Sequence, residues 1–326
     1  VRIYNVKKMG DNMETLIIEA PAKVNLTLDV KYKREDGYHE LESVMHQINL
    51  IDRITIREGP KGTINLRSNH PALPNDQGNL AYKAAHLLLT EYGHGEGVDI
   101  SIEKNIPLGA GLAGGSTDAA AVLWGMDQIF GYKLELAVLM KAATKLGSDI
   151  SFCLLGRHYW PDADQACPGL PGATAIARGR GEVLEEMPNR YLPWILLVKP
   201  DYQVSTARVY QGLRLDEIRQ RPDTPAFLAA WQDCDMMNIA KNLVNVLESV
   251  SIGIYPEIAS IKADMIKYGA LNALMSGSGP TVFGIFGEEK AADQARKRFL
   301  EHYKEVFLVS SYGRGEKSAG TKIATG

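Results

Sequence analysis

The segment Pro107-Leu-Gly-Ala-Gly-Leu-Ala-Gly-Gly-Ser-Thr-Asp118 sets four glycines among twelve residues, between a strand-like stretch at 98–103 and an apolar helical stretch. Glycines at 109, 111, 114 and 115 permit positive φ and let backbone amides approach a ligand without a Cβ in the way. Ser116 or Thr117 stands where it can cap the following helix, whose first N–H groups and positive dipole end favour an anion. This pattern predicts a phosphate cradle, with a nucleoside triphosphate as the best match. Two other readings remain open at this point. One is a glycine-rich turn that only links strand to helix. The other is a dinucleotide fingerprint, because Gly109-x-Gly111-x-x-Gly114 matches GxGxxG literally. Against the fingerprint, Gly114-Gly115 are expected to continue the loop, whereas a fingerprint helix opens at the second glycine. The preceding segment also carries Lys104, Asn105 and Pro107, and no acidic residue closes a second strand about 20 residues on. GxxxxGK[ST] is absent.

The 326 residues suit two lobes better than one small module. With 36 Lys+Arg against 39 Asp+Glu, the charge of −3 offers no electrostatic case for nucleic acid or an anionic membrane as partner. No apolar run approaches the roughly 18–20 residues that span a bilayer. Cys153, Cys167 and Cys234 have neither CxxC nor Cys/His spacing, which fits a reducing cytoplasm rather than a disulfide or zinc framework. Residues 1–12, ahead of Met13, lack an apolar signal core and are expected to add little to the fold.

Along residues 23–31, Val24, Leu26, Leu28 and Val30 alternate with Lys23, Asn25, Thr27 and Asp29, predicting a half-buried strand with one wet face. Further strands are expected at 43–50, 53–57, 63–67, 98–103, 147–152, 194–198, 272–275, 281–286 and 304–309. Helices are expected at 79–92, 117–129, 134–146, 226–231, 241–250, 257–268 and 290–303. Residues 157–172 hold three prolines and two glycines and read as a surface excursion, and the tail 313–326 as frayed. Strands followed by helices in each half indicate an α+β fold of two lobes, at 1–172 and 173–326.

Phosphoryl transfer needs positioning, charge neutralisation and an acceptor for the alcohol proton. Asp149, opening the short apolar segment after Gly147-Ser148, is a candidate base; its plain alternative is a loop or capping aspartate. Lys23 can orient that carboxylate and offset phosphate charge, or it is a solvated edge-strand lysine. Asp36-Gly37 supplies a turn that presents Tyr38 and His39 as a stacking face and a polar edge, or simply as surface residues. Ser276-Gly-Ser-Gly-Pro280 is a second small-residue loop that either approaches substrate or allows lobe packing. Asp118 is favourable in a helix's first turn with or without a metal nearby.

Pro21-Ala-Lys-Val-Asn-Leu26, the loop from Pro107 to Asp118 and Ser276-Gly-Ser-Gly-Pro280 resemble the three motifs of the GHMP kinases, over about residues 16–309. Asp36-Gly-Tyr-His-Glu-Leu41 narrows the resemblance to members acting on 4-diphosphocytidyl-2-C-methyl-D-erythritol in non-mevalonate isoprenoid synthesis. The resemblance implies a two-lobe fold with the site in the cleft, and ATP-dependent phosphorylation of that substrate's 2-hydroxyl, with Mg²⁺ accompanying ATP. It implies Asp149 as base, Lys23 as its charged partner and Asn25 beside the reacting diol. Tyr38 and His39 would belong to the cytidine pocket, with Thr206 and Tyr210 as further substrate contacts and Tyr210 and Tyr38 stacking on the base. Pro107, Gly109, Ala110, Gly111, Leu112, Ala113, Gly114, Gly115, Ser116 and Thr117 would hold the ATP phosphates, and Asn79 and Lys104 would line the adenosine side. Metal ligands and the choice between monomer and homodimer stay unassigned. One departure from the family pattern is the insertion at 157–171, carrying His158, Trp160 and Cys167, expected to be a surface insertion. The alternatives are another kinase of the family acting on homoserine or mevalonate, a nicotinamide-dependent oxidoreductase, and a nucleotide-binding regulator without catalysis.

Overall fold

The computed structural model describes residues 3–6, 15–155 and 172–313. The alternating stretch around Lys23 grows into a long antiparallel pair. After β1 (Ile3–Val6) come β2 (Thr15–Lys33) and β3 (His39–Gly59), joined by the turn at Asp36-Gly37, where Gly37 adopts φ 84°. Register shifts at Pro21/Ala22, Asn25/Thr27 and Val30/Tyr32 bend this pair, as bulges do. β4 (Ile64–Ser68), α1 (Leu80–Tyr92), β5 (Gly97–Glu103), α2 (Gly114–Phe130), α3 (Leu136–Leu146) and α4 (Ser148–Leu155) complete the first half. The second half runs through β6 (Thr174–Gly179), β7 (Val183–Met187), β8 (Trp194–Lys199), α5 (Thr206–Gly212), α6 (Thr224–Gln232), α7 (Met236–Lys241) and β9 (Val244–Asn245). It ends with α8 (Glu248–Ile254), α9 (Glu257–Lys267), β10 (Asn272–Met275), β11 (Val282–Phe286), α10 (Glu289–Leu300) and β12 (Glu305–Val309).

Two sheets result. The first has the order β1-β2-β3-β5-β4, with β6 and β7 continuing from the other end of β3 and β9 lying parallel to β2. The second has the order β10-β11-β8-β12. Strands from beyond residue 172 thus complete the first sheet, and sheet membership does not follow chain order. Helices α1 to α4 cover one face of the first sheet, with Ile18, Ile54, Ile56 and Ile100 against Ala84, Leu88, Ala120 and Leu123. A second core joins Ala22, Val24 and Leu26 of β2 to Ile195, Leu197, Phe283 and Ile285 of the second sheet. A third covers that sheet's other face, where Leu196, Val198 and Val282 meet Ile258, Ile261 and Ala295. Both faces of β8 are therefore buried, which explains its unbroken apolar run.

Several expectations are corrected. β2 has no wet face at its centre: Lys23, Asn25, Thr27 and Asp29 are all at most 4% exposed, covered by elements from both halves. Residues 148–155 form a helix instead of a strand, because a short, wholly buried apolar run carries no period that separates the two. The helix expected at 241–250 is broken into the end of α7, the two-residue β9 and α8, with Asn242 capping α7. Residues 3–6 pair with 15–18 as an edge strand and so do contribute to the sheet. The insertion at 157–171 and residues 314–326 lie outside the described residues.

His46 on β3 bridges the sheet to the end of the described chain, with Nδ1 2.8 Å from Thr174 Oγ1 and Nε2 2.7 Å from Ser311 Oγ. Burial pushes its imidazole down from 6.5 to about 3. The unfolded chain takes up a proton near pH 6.5 and the native one does not, so stability is full above that value and declines as pH falls toward 3. Between about pH 7 and 5 the loss should be about 2 kcal/mol. Urea titrations at both values measure it, and His46→Gln should flatten the dependence.

Candidate active site

The first glycine loop bends through left-handed residues: Gly109 at φ 62°, Gly111 at φ 75° and Ala113 at φ 59°. Helix α2 opens at Gly114, so Gly114-Gly115 belong to the helix and not to the loop. Ala113 is its N-cap, without a side-chain cap. Ser116 and Thr117 sit inside the first turn instead of capping it, and Thr117 Oγ1 is buried without a hydrogen-bond partner. A 17-residue helix thus begins with no side chain spent on its first amides, a suitable end for an anion.

This loop rests on the second one, at 276–280. A Cβ on Gly111 would collide with the Ser276 carbonyl oxygen and lie 3.0 Å from that of Gly279. Ser276 Oγ donates to the Gly111 carbonyl at 3.0 Å, and the Lys23 N–H donates to the Leu112 carbonyl at 3.1 Å. Asn245 on β9 pins the second loop by donating from Nδ2 to the carbonyls of Met275 at 2.8 Å and Gly277 at 2.7 Å. Thr206, at the start of α5, lies 2.8 Å from Ser278 across their hydroxyls.

Beside the loops lies a compact polar cluster. Lys23 Nζ donates to Asn25 Oδ1 at 2.7 Å and stands 3.3 Å from Asp149 Oδ2. Asn25 donates in turn to Ser43 Oγ at 2.8 Å, and Ser43 to the Thr27 carbonyl at 2.6 Å. The Lys23 side chain is 5% exposed and that of Asp149 34%, so the ammonium is sealed in while the carboxylate meets solvent. Asp149 occupies the first turn of α4, the end that favours an anion. A Cβ on Gly277 would lie 3.5 Å from Asn25 Oδ1, which puts the second loop over this cluster.

At the mouth, His39 and Tyr210 bring their rings to 5.2 Å between centroids with a 33° tilt. Burial, and then the charge of Lys33, lowers the His39 imidazole below its ordinary range. Burial, and then the nearby Asp149 charge, raises the Tyr210 phenol. Tyr38 is 56% exposed and carries the Arg180 guanidinium 4.8 Å above its ring.

Asn79 and Lys104 have their polar ends engaged within the protein. Asn79 caps α1, accepting from the Ala81 N–H at 2.9 Å and donating to the Pro74 carbonyl at 2.8 Å. Lys104 is ion-paired with Asp52 and with Asp118, the latter at 2.7 Å, directly under the loop: a Cβ on Gly114 would lie 2.9 Å from its Nζ. Burial opposes the Lys104 charge, but the Asp118 and Asp52 carboxylates raise it. Sequence reasoning singled out neither Ser43, Asn245 nor Gly181, whose Cβ would lie 3.9 Å from Asp149 Oδ1. The Gly179-Arg-Gly181 repeat is the one local signal that could have flagged the last.

Family models described as GHMP kinases N terminal domain and GHMP kinases C terminal match residues 79–157 and 233–305. A protein of Syntrophomonas wolfei named 4-diphosphocytidyl-2-C-methyl-D-erythritol kinase is 56% identical over 91% of this chain and 98% of its own length. Its namesake in Alkaliphilus oremlandii is 42% identical over 93% and 99%. The chain belongs to the 4-diphosphocytidyl-2-C-methyl-D-erythritol kinase family of GHMP kinases. A crystal structure of 4-(cytidine 5'-diphospho)-2C-methyl-D-erythritol kinase agrees with a TM-score of 0.73 at 31% identity, covering 92% of this chain and all 100% of that one. A homoserine kinase from Cytophaga hutchinsonii, at 21% identity and a TM-score of 0.66 over 95% and 97%, shares the fold. This member of the family is accordingly an α+β small-molecule kinase, and among the described residues no helix is long and apolar enough to cross a membrane.

The contact between its two glycine loops is testable. Gly111→Ala combines positive φ with a backbone collision and should cost about 1–3 kcal/mol of stability. Gly115→Ala, whose Cβ would meet only Leu80 at 3.6 Å, should stay within about 0.5 kcal/mol of the parent. Paired urea denaturation curves compare the two.

Proposed function

We propose that this kinase transfers the γ-phosphoryl group of ATP to the 2-hydroxyl of 4-diphosphocytidyl-2-C-methyl-D-erythritol, in the cytoplasm, for non-mevalonate isoprenoid precursor synthesis. The observation that carries the reading is the convergence of Lys23, Asn25 and the solvent-reaching Asp149 beside two interlocked glycine loops. The names of the Syntrophomonas and Alkaliphilus relatives support the choice of substrate.

In this mechanism Asp149 accepts the hydroxyl proton as the oxygen attacks the γ-phosphorus in line, and the bond to the bridging oxygen breaks to release ADP. No phosphoenzyme forms. Lys23 orients the Asp149 carboxylate and offsets charge on the moving phosphoryl group. Asn25, held by Lys23 and Ser43, faces the diol. The backbone of residues 109–115 and the start of α2 receive the ATP phosphates. Tyr38 and Tyr210 stack on cytosine with His39 at its polar edge, while Thr206 borders the pocket through Ser278. Asn79 and Lys104 shape the adenosine side from behind the loop, their side chains held by Pro74 and by Asp52 and Asp118.

Mg²⁺ bound to ATP would neutralise phosphate charge. The described residues do not build a cage for it: no three His, Cys, Asp or Glu side chains converge, and Asp118 is 1% exposed against Lys104.

ADP release measured with the cytidylyl substrate, homoserine and mevalonate in parallel tests the proposal; turnover confined to either of the last two would overturn it. Asp149→Asn should lower kcat by about 10²–10⁴-fold with the KM for ATP little changed. Lys23→Ala should act in the same direction. Tyr38→Ala should instead raise the KM for the cytidylyl substrate about tenfold, leaving kcat close to that of the parent.

A further inference from the structure

Arg180 occupies the turn between β6 and β7, and the mechanism above gives it no task. Gly179 at φ 71° and Gly181 at φ 120° flank it, and its N–H donates to Glu182 Oε2 at 2.6 Å, which closes the turn. Two contacts locate this turn relative to the site. On one side a Cβ on Gly181 would lie 3.4 Å from Ser148 Cβ and 3.9 Å from Asp149 Oδ1. On the other, the Arg180 guanidinium carbon stands 4.8 Å from the centre of the Tyr38 ring. The side chain is 33% exposed, and its ion pair with Glu182 Oε1 is long, at 3.8 Å.

We propose that Arg180 is the docking cation for the diphosphate bridge of the cytidylyl substrate. The inference rests on the reading that Asp149 serves the polyol end while Tyr38, His39 and Tyr210 serve cytosine. A diphosphate joins those two ends of the substrate, and the turn carrying Arg180 and Gly181 touches both corresponding parts of the site. Neighbouring cations are less suited. Lys23 is sealed and already holds Asn25 and Asp149, and Lys33 is on the exposed end of β2. With its carbon 4.8 Å from the Tyr38 ring centre and its Nε pairing to Glu182 long at 3.8 Å, the guanidinium can offer its planar fork to two phosphate oxygens. Tyr38 thereby has a second role, as the platform that presents Arg180.

The test uses the full chain. Arg180→Gln should raise the KM for the cytidylyl substrate about 10–100-fold, with the KM for ATP and kcat within about twofold, and Arg180→Lys should recover part of the loss. Calorimetry with CDP and cytidine separates diphosphate recognition from stacking on the base. The parent should prefer CDP, and Arg180→Gln should lose most of that preference with cytidine affinity and melting temperature unchanged. An unaltered KM, or equal weakening of CDP and cytidine, overturns the assignment. A parent chain inactive on the cytidylyl substrate would sink the functional reading alone, because the CDP-against-cytidine comparison still decides the role of Arg180.

Discussion

An ammonium that is 5% exposed cannot stand alone, since an unpaired charge in such a place costs several kcal/mol. Lys23 is that ammonium, at the middle of the longest strand pair, and its compensation organises the surroundings. One partner, Asn25, lies two residues away on the same face of β2 and is itself held by Ser43 on β3. The other, Asp149, comes from the first turn of α4, so the helix has to begin at this point. The backbone of Lys23 meanwhile binds the first glycine loop through Leu112. One residue thereby ties the sheet, a helix start and the loop together, and the second loop closes over them because Gly111 leaves no room for a Cβ.

A second buried ion cluster stands behind the first loop. Asp52 accepts the backbone N–H groups of Asn105 at 2.6 Å and Ile106 at 2.8 Å, fixing the chain as it leaves β5, while Lys104 bridges Asp52 to Asp118 on α2. Burial pushes the Asp118 carboxyl up; the Lys104 charge opposes this and the Asp52 charge adds to it. Asp118 Oδ1 is left without a partner. Removing one member of such a cluster strands the charges of the others, so its substitution would disturb the loop through α2 without touching a ligand.

Much of this fold is visible in local patterns. The alternation of Val24, Leu26, Leu28 and Val30, the periodic helices α1 to α3, and the strands and helix from β10 to β12 all follow from residue spacing. Ambiguity begins where burial is complete. The run from Ile150 to Leu155 is buried on every side, so no period distinguishes helix from strand, and β2 hides its polar residues because tertiary partners cover them. The break in 241–250 has another cause. Asn245 leaves a helical pattern to bind the carbonyls of Met275 and Gly277, a demand set by a loop distant in the chain. For the site, residue types at Lys23, Asp149 and the glycine loops suggested phosphoryl chemistry, whereas the 3.3 Å between ammonium and carboxylate is a product of tertiary packing that brings β2 and the start of α4 together. Arg180 was illegible for the same reason: Tyr38, beneath its guanidinium, and Asp149, beside Gly181 in the same turn, are both remote in sequence.

In the proposed mechanism, exposure divides the site by task. Lys23 and Asn25, 4% and 1% exposed, lie on a long, paired strand whose position is set by three cores. Tyr38 and Arg180 lie on turns at the rim, where Tyr38 is 56% exposed and substitution disturbs no core. With chemistry on the rigid strand and recognition on short turns, as proposed, one can change without the other. On this division, the selectivity proposed for this kinase is written mainly in the β2–β3 and β6–β7 turns and in α5. The buried strand can keep its role as those rims diverge, because the cost of altering a sealed ammonium far exceeds that of altering an exposed tyrosine.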